Sequence, residues 1–295
     1  MRTKNTKQTQ SVALVFVVFA ICLLMFHQPV FAQSNTTYQL EGILEGAEIL
    51  KDNWGVSHIY GETVEDLFFA QGFNAARDRL WQLDLWRKQG EGKLSESFGS
   101  RFLEKDRAAR LFLYRGDLKK EFRSYHPDGE KILTASTNGI NAYIDLTKTN
   151  PDMLPLGFQL TGTTPGYWSS TSPLIRIFGL TRNVRNEVSF ARLVHLMGTE
   201  AVEKLNIFEP STNLEIPEGI DLSIIGSEVL ETYNLSRSGI TFLPEDIVAK
   251  NVTEEQKILY AKLLSTPTPD ETDNWQQSAF ESNNWTISGS LTSTG

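Results

Sequence analysis

Cysteine and histidine are scarce in this 295-residue sequence, which has one cysteine and four histidines. Cys22 and His27 lie in an N-terminal segment that is predicted to be removed, so the remaining chain has no thiol nucleophile, disulfide or cysteine metal site. The histidines that remain show no HExxH or related spacing. The sequence therefore excludes thiol chemistry and argues against a histidine-based triad or zinc site.

Basic residues are also fewer than acidic residues. After residue 32 the chain has 25 basic against 36 acidic residues, a net charge of -11, whereas the whole chain has -8. This balance argues against nucleic acid or an anionic membrane as a partner and is typical of a soluble exported protein. The sequence also has no internal repeat and no glycine-rich loop that could cradle a nucleotide.

Residues 1–32 have the three parts of a secretory signal peptide. Three basic residues precede an apolar run from Val12 to Phe26, and small residues lead to a cleavage site after Ala32. A run of about 15 residues is shorter than the roughly 20 that a spanning helix needs. We therefore expect a periplasmic or secreted protein without a stable membrane anchor.

The first half of the remaining chain predicts a hairpin followed by helices. Alternating apolar and polar residues at 38–60 surround a turn at Gly55. A helix is expected from the capping residue Thr63 until Gly90 and Gly92 interrupt the pattern, and a short helical turn follows at 94–98.

The later segments predict further helices and a long polar region. Residues 101–148 indicate two helices broken at 126–129, and one strand is expected at 158–160. A helix is predicted at 185–197 and a shorter one at 200–205. Beyond residue 210 the composition becomes rich in Ser, Thr, Glu and Asp and predicts little regular structure except a helix at 254–264.

Four ordered motifs contain more information than their secondary structure requires. They are Asp52-Asn-Trp-Gly-Val-Ser-His-Ile-Tyr60, Asp66-Leu-Phe-Phe-Ala-Gln-Gly-Phe73, Ala76-Arg-Asp-Arg-Leu-Trp-Gln-Leu-Asp84 and Gly92-Lys-Leu-Ser-Glu-Ser-Phe-Gly99. In this order and spacing the segment resembles the opening of the penicillin amidase family, whose members are exported N-terminal-nucleophile hydrolases. Ser57 stands where the family usually has proline, which is a local change at the turn.

A second segment, Ser282-Asn-Asn-Trp285 with Ser288-Gly-Ser290, resembles the start of the family's second subunit. The resemblance implies four regions: a signal peptide at 1–32, a first (alpha) subunit at 33–210, a spacer at 211–281 that is removed on maturation, and the start of the second (beta) subunit at 282–295. Members of the family continue for several hundred residues past this point, so the sequence is expected to be truncated relative to them.

The resemblance also implies the chemistry. The chain would cut itself between Glu281 and Ser282, which makes Ser282 the first residue of a new chain. The freed α-amino group, with an ordinary pKa of about 7.7 to 8.0, would then act as the base for the Ser282 hydroxyl. This arrangement requires neither a histidine nor a cysteine.

A calcium site and a fold follow from the same resemblance. The family often binds one calcium between its subunits through a first-subunit glutamate, and Glu187 is the matching position. Its alternative role is that of a first-turn glutamate that interacts favourably with the helix dipole. The expected fold class is α+β, the αββα sandwich of N-terminal-nucleophile hydrolases when complete, with this chain supplying mainly the helical first-subunit part.

The function implied is that of an exported amidohydrolase, an acylase that cleaves N-acyl amides such as penicillins through an acyl-enzyme on Ser282. Its partners would be the small-molecule substrate and its own second subunit. Three alternatives stay open: an acyl homoserine lactone acylase of the same family, an inactive truncated fragment, and an unrelated helical binding protein.

Overall fold

A computed structural model of the chain describes residues 35–177, 183–205 and 214–266. The chain divides into two units, Met1–Leu40 and Glu41–Gly295. The first unit is described only from residue 35 onward and has no helix or strand there. The predicted signal peptide lies outside the described residues, and all of the described helices and strands belong to the second unit.

A β-hairpin begins the described part of the second unit. Strand β1 (Ala47–Lys51) pairs antiparallel with β2 (Ser57–Gly61). Asp52 closes the turn because its carboxylate accepts hydrogen bonds from the backbone N–H groups of Trp54 (2.9 Å) and Val56 (2.8 Å). The hairpin predicted from the sequence is confirmed, with Gly55 at φ +79° in its turn.

Helix α1 (Val64–Glu91) is the longest of the described elements. Its N-terminus is capped by Thr63, whose hydroxyl accepts from the Asp66 N–H at 3.0 Å. Of the two glycines predicted to interrupt the helix, Gly90 does not, because the helix continues through it, whereas Gly92 is confirmed as the end of the helix and adopts the left-handed conformation (φ 63°, ψ 51°). Glycine inside a helix costs only about 1 kcal/mol, whereas the left-handed C-cap strongly favours glycine.

The other described α-helices continue in chain order. They are α2 (Leu94–Phe98), α3 (Leu103–Leu111), α4 (Leu118–Tyr125), α5 (Gly129–Thr149), α6 (Leu156–Thr161), α7 (Ser172–Ile177), α8 (Asn183–Met197), α9 (Thr199–Leu205), α10 (Glu231–Arg237) and α11 (Glu254–Leu264). Short 3-10 turns lie at Ser100–Phe102, Pro151–Met153, Leu222–Ile224, Ser227–Leu230 and Pro244–Asp246.

Two local predictions differ from the structure. The region expected to form two helices contains three, because Asp117 caps a separate helix through the N–H groups of Lys119 and Lys120. The strand predicted at 158–160 is instead helix α6, which ends at the left-handed Gly162. A short apolar run is compatible with either a buried strand or a buried helix, so the sequence pattern does not distinguish the two. In the structure Phe158 is fully buried within the helix.

The first part of the core is the crossing of α1 and α5. Phe69 and Phe73 of α1 are buried, as are Tyr143 and Ile144 of α5. The rings of Phe73 and Tyr143 meet edge to face with centroids 5.5 Å apart. This crossing fixes the helix that carries two of the four sequence motifs.

A second apolar cluster joins α1 and α2 to the segment after residue 238. Its buried members are Leu85, Leu94, Phe98, Phe102, Leu160, Ile240, Phe242, Ile247 and Ala261. Part of the region predicted to be a spacer therefore lies in the core.

The described residues are mainly helical with one two-stranded sheet, as expected for the chain. Among them no helix is both long and apolar enough to cross a membrane.

Candidate functional site

The predicted nucleophile Ser282 and its cleavage partner Glu281 lie outside the described residues. Within the described part, the motif residues can be assigned roles from their contacts. Three carboxylates that stand out in the sequence motifs or nearby, Asp66, Asp84 and Asp106, are buried, with 0%, 1% and 2% of their surface exposed. A buried carboxylate must be paired or hydrogen-bonded, so the contacts of each one indicate its role.

Asp66 binds the chain that leads into the hairpin. Its carboxylate accepts from the N–H groups of Leu44 (2.7 Å), Glu45 (3.0 Å) and Gly46 (3.3 Å) and from the Thr63 hydroxyl (2.9 Å). Burial raises the pKa of Asp66, but these hydrogen bonds lower it more, so the net pKa is below the usual range. Both carboxylate oxygens accept hydrogen bonds from the protein itself, which identifies Asp66 as a structural anchor.

Asp84 is the centre of a buried ionic network on α1. Its two oxygens accept from Arg87 (2.9 Å) and Lys88 (2.5 Å), and one of them also accepts from the Gly166 N–H (3.0 Å). Arg87 reaches onward to Glu91 at 2.9 Å. The Arg87 Nε atom is buried without a hydrogen-bond partner among the described residues. The network joins α1 to the loop before α7. Its carboxylates form ion pairs with the positively charged side chains of Arg87 and Lys88, about one helical turn away.

Asp106 fixes the turn between α1 and α2. It accepts from the N–H groups of Leu94 (2.9 Å) and Ser95 (2.7 Å), which would otherwise be unpaired at the start of α2. Arg110 donates to the Gly92 carbonyl oxygen at 3.0 Å. The motif around Gly92 thus shapes a connection between helices.

Glu187, the predicted calcium ligand, lies on α8 and is exposed. Helix α8 begins at Asn183, so Glu187 is beyond the first turn, and the alternative role of a first-turn glutamate is wrong. Within residues 35–177, 183–205 and 214–266, no group of three or more His, Cys, Asp or Glu residues could hold a metal ion. Calcium binds six to eight oxygen atoms, so the acidic residues of the described part do not by themselves form a complete calcium site.

The histidines have local structural contacts. His58 lies 3.3 Å from the Asp52 carboxylate on the exposed hairpin, and the His126 ring accepts from the Asp128 N–H at 3.1 Å. His195 is exposed on α8. None of the three adjoins a serine hydroxyl in the described hydrogen bonds.

A serine and lysine pair that the sequence did not indicate lies between α3 and the end of α10. Lys105 Nζ is 2.6 Å from Ser238 Oγ, and burial lowers the pKa of Lys105 to about 8, against a smaller opposite effect of Asp106. The Ser238 hydroxyl donates its proton to the Leu235 carbonyl, so Lys105 acts as the donor and not as the base. The 133 residues that separate the pair explain why no sequence pattern could reveal it.

The geometry of the described part is that of a scaffold whose motif residues hold turns and helix ends. The motif order belongs to a known class of hydrolases. The family model for penicillin amidase matches residues 46–295, and the chain belongs to the penicillin amidase family. The family and fold class predicted from the sequence are thereby confirmed.

Two curated relatives illustrate the similarity. Penicillin G acylase from Escherichia coli is 32% identical over 122 residues, which are 41% of this chain and 14% of the relative. Acyl-homoserine lactone acylase QuiP from Pseudomonas aeruginosa is 27% identical over 183 residues, which are 61% of this chain and 21% of the relative. The chain thus spans between about a seventh and a fifth of the length of these two relatives.

Among solved structures, thermostable penicillin G acylase from Alcaligenes faecalis matches with a TM-score of 0.43 and 19% identity. The match covers 58% of this chain and 98% of the chain in that structure. Similarity at this level carries no argument about the site, so the family assignment depends on the sequence match over residues 46–295.

Proposed function

We propose that the full-length protein is an exported amidohydrolase that cleaves N-acyl amides through an acyl-enzyme on Ser282. The chain cuts its own bond between Glu281 and Ser282, and the Ser282 residue then begins a second subunit. The observation that carries the proposal is the extent of the family match, which includes the segment that begins at Ser282.

The first step of the reaction requires a nucleophile and a base, and Ser282 provides both through its hydroxyl and its α-amino group. A serine hydroxyl is a weak nucleophile and needs an adjacent base, and a free α-amino group has an ordinary pKa of about 7.7 to 8.0. Near neutral pH a substantial part of that amine is unprotonated, so it can accept the hydroxyl proton, directly or through a water molecule. The hydroxyl oxygen then bonds to the substrate carbonyl carbon, the amide C–N bond breaks, and the departing amine takes the proton. Water afterwards hydrolyses the ester that remains on Ser282.

The described residues support this assignment because their charged groups have structural roles and leave the nucleophile to another part of the chain. Their carboxylates and bases are paired in helix caps and ion networks, as shown by Asp66, Asp84 and Asp106. They act as the scaffold for a nucleophile supplied elsewhere in the chain. Donors for the oxyanion, which are commonly worth a hundredfold or more in rate, must also come from outside the described residues.

The test is the mass of the mature protein and of two variants. In full-length wild-type protein we expect a subunit whose first residue is Ser282 and hydrolysis of an N-acyl amide substrate. Ser282→Ala is expected to stay uncut at this bond and to lose hydrolysis, whereas the neighbouring Ser278→Ala is expected to be processed and active. Activity in Ser282→Ala, or an active wild-type enzyme with an intact Glu281–Ser282 bond, would contradict the proposal.

Acyl homoserine lactones are the second candidate substrates. The match to the homoserine lactone acylase covers 61% of this chain, whereas the match to penicillin G acylase has higher identity but covers 41%. A panel of phenylacetylated amides, β-lactams and acyl homoserine lactones of different chain length decides between the two. A ratio of kcat/KM values above about 100, or 2.7 kcal/mol of transition-state binding, identifies the preferred class.

Two accessory features complete the proposal. Residues 1–32 direct export and are removed after Ala32, so the first subunit begins at Gln33. Glu187 is exposed and able to contribute one carboxylate to a calcium site whose remaining ligands lie outside the described residues. Such an ion would join the two subunits and would have a structural role.

A further inference from the structure

We propose that residues 214–266 are a permanent part of the first subunit and stay bound to its helices after the cut before Ser282. Any excised spacer is then confined to the residues between Thr266 and Ser282, which are far fewer than the 211–281 expected from the sequence. The inference depends on the proposed function only for the existence of the cut. The segment and the surface that holds it are both among the described residues.

The segment fills an apolar surface of the helical part. Ile240, Phe242 and Ile247 have 0%, 3% and 2% of their surface exposed. The Phe242 ring lies 5.1 Å from Phe98 and 5.8 Å from Trp81 between centroids, so it is inserted between aromatic residues of α2 and α1. Side chains buried to this extent belong to a core and are unlike those of a surface linker.

Polar side chains of the helical part bind the C-terminal end of α10. Gln89 donates to the carbonyl oxygens of Ser236 (3.1 Å) and Ser238 (3.0 Å). Lys105 donates to the Leu235 carbonyl (3.0 Å) and to both the carbonyl and hydroxyl oxygens of Ser238. The last carbonyls of a helix have no partners within it, and here α1 and α3 provide those partners.

Hydrogen bonds that involve the backbone of the segment continue the contact after α10. Arg101 donates to the Thr241 carbonyl at 3.1 Å. The N–H groups of Val248 and Ala249 both donate to the Leu160 carbonyl oxygen, at 2.9 and 3.2 Å. Attachment is therefore distributed along the segment from α10 to the residues before α11.

The end of the segment folds back onto its middle. Thr266 N–H donates to the Ile240 carbonyl (2.9 Å), and Ile240 N–H donates to the Thr266 hydroxyl (2.7 Å). Ser265 accepts from the Phe242 N–H at 2.9 Å. These bonds make Thr266 part of the same folded unit, and for this reason we place the boundary after it.

Loss of the segment would expose what it now covers. Trp81, Leu85, Phe98 and Leu160 would lose the apolar side chains packed on them. The buried ammonium of Lys105 would lose the acceptors that it binds. Apolar exposure and an unpaired buried charge both oppose release, so cleavage of the chain on either side does not free the segment.

The first experiment measures the masses of the chains in the processed full-length enzyme under denaturing conditions. We expect one chain that begins at Ser282 and a first-subunit chain, or a noncovalently held fragment, that includes residues 214–266. A processed enzyme that lacks these residues would overturn the inference. An intact Glu281–Ser282 bond in every species would instead contradict the proposed function, and the second experiment would still test retention.

The second experiment cuts the segment free without self-processing. Recognition sites for a specific protease are inserted within 206–213 and within 267–281 of full-length Ser282→Ala protein. After both cuts, the 214–266 peptide is expected to co-elute with the protein in gel filtration and to separate only in denaturant. Separation under native conditions would refute retention.

Matched isoleucine substitutions test whether burial causes the retention. Ile240 is fully buried, whereas Ile258 on α11 of the same segment is 60% exposed. Ile240→Ala is expected to speed release of the cut peptide at least about tenfold, since it removes buried methyl groups and leaves a cavity, and Ile258→Ala is expected to change it less than about twofold. Equal release from the two variants would contradict the assignment.

Hydrogen exchange on the Ser282→Ala protein without inserted protease sites is a control. It tests the segment in a chain that the insertions and isoleucine substitutions cannot have misfolded. Amides of Ile240 and Phe242 are expected to be protected by at least about a hundredfold, because their N–H groups are hydrogen-bonded within the core. Exchange at the rate of an unfolded peptide would overturn the inference.

Discussion

Asp66 illustrates how a motif residue can be essential to the fold without taking part in the chemistry. Its carboxylate holds three consecutive N–H groups before β1 and the hydroxyl that caps α1. Asp66 lies in the first turn of α1, next to the capping residue Thr63 that the sequence predicted. Its contact with residues 44–46, about twenty positions away, was not predictable, because only the tertiary fold brings that loop to the helix.

Asp66→Asn is expected to loosen this junction. The amide keeps one acceptor oxygen but places an NH₂ group against backbone donors, at a cost of about 1–3 kcal/mol. Amides at 44–46 should therefore exchange about ten to a hundred times faster in hydrogen-exchange mass spectrometry. Asp78→Asn is the control, since it removes a half-exposed pair with Lys51 at 2.8 Å and should cost less than about 1 kcal/mol.

The same carboxylate predicts an acid sensitivity. The pKa of Asp66 is lowered in the folded protein, so its stabilisation is complete above the ordinary aspartate pKa of about 3.9 and is lost as the pH falls through the folded value. Wild-type protein should open at 44–46 below about pH 4, and Asp66→Asn should lack this part of the pH dependence. Identical acid profiles in the two proteins would contradict the assigned role.

Lys105 predicts the opposite dependence on pH. Burial lowers its pKa to about 8, whereas an unfolded lysine has about 10.4. Between these values the unfolded state binds more protons, so this group makes the free energy of unfolding increase with pH. Protection factors of amides in α10 should therefore rise between pH 8 and 10 in the wild type.

Lys105→Met is expected to remove that rise and to lower protection at pH 7.5, because the carbonyls of Leu235 and Ser238 each lose one of their two side-chain donors. A hydrogen bond to a charged group contributes about 1.5–3 kcal/mol, which is partly offset here by the loss of a buried charge. Lys119→Met, at an exposed position on α4, serves as the control. A rise in protection that persists in Lys105→Met would show that another group titrates.

Among the elements, the crossing of α1 and α5 depends on two glycines. A Cβ atom at Gly72 would lie 1.9 Å from the Ser136 carbonyl oxygen, and one at Gly139 would lie 1.9 Å from the Phe69 carbonyl oxygen. Both neighbours are backbone atoms of the opposite helix and cannot move aside alone. The sequence indicated both helices, but the closeness of their approach is a property of the packed pair.

Gly139→Ala is expected to destabilise the crossing by about 1–3 kcal/mol or more, because the two helices must separate to admit the methyl group. Alanine is a better helix former than glycine by about 1 kcal/mol, so propensity alone predicts the opposite sign. Thermal unfolding of Gly139→Ala should fall below wild type. Asn138→Ala, exposed on the same helix, should stay within about 0.5 kcal/mol of wild type, and a stabilised Gly139→Ala would refute the close contact.

For the whole molecule, calcium dependence tests the proposed role of Glu187. The described residues offer the exposed Glu187 but no complete ligand set. If Glu187 contributes to a calcium site in the full-length protein, a chelator should lower the midpoint of thermal unfolding, and added calcium should restore it.

Glu187→Gln should weaken this response about tenfold or more in calcium concentration, because a charged ligand is replaced by a neutral one. Glu200→Gln is the matched control, as Glu200 is an exposed glutamate on α9 that pairs with Lys204 at 2.6 Å. The same calcium dependence in wild type and Glu187→Gln would remove Glu187 from the site.

The sequence by itself determined the features that depend on local chemistry or on ordered motifs. It predicted the hairpin at Asp52 to Gly55, the cap at Thr63 and the family, because turn residues, capping side chains and motif order are readable without coordinates. Ser282 as nucleophile stays a prediction of this kind.

Only the tertiary structure decided which distant segments share a core. It placed Ile240 and Phe242 of the expected spacer among aromatic residues of α1 and α2, and joined Lys105 to Ser238 across 133 residues. The polar composition beyond residue 210 predicted little regular structure, and the family resemblance implied a spacer that is removed, but a few apolar residues suffice to anchor a chain when a complementary surface exists. That surface is created by packing of helices far away in sequence, so local patterns could not reveal it.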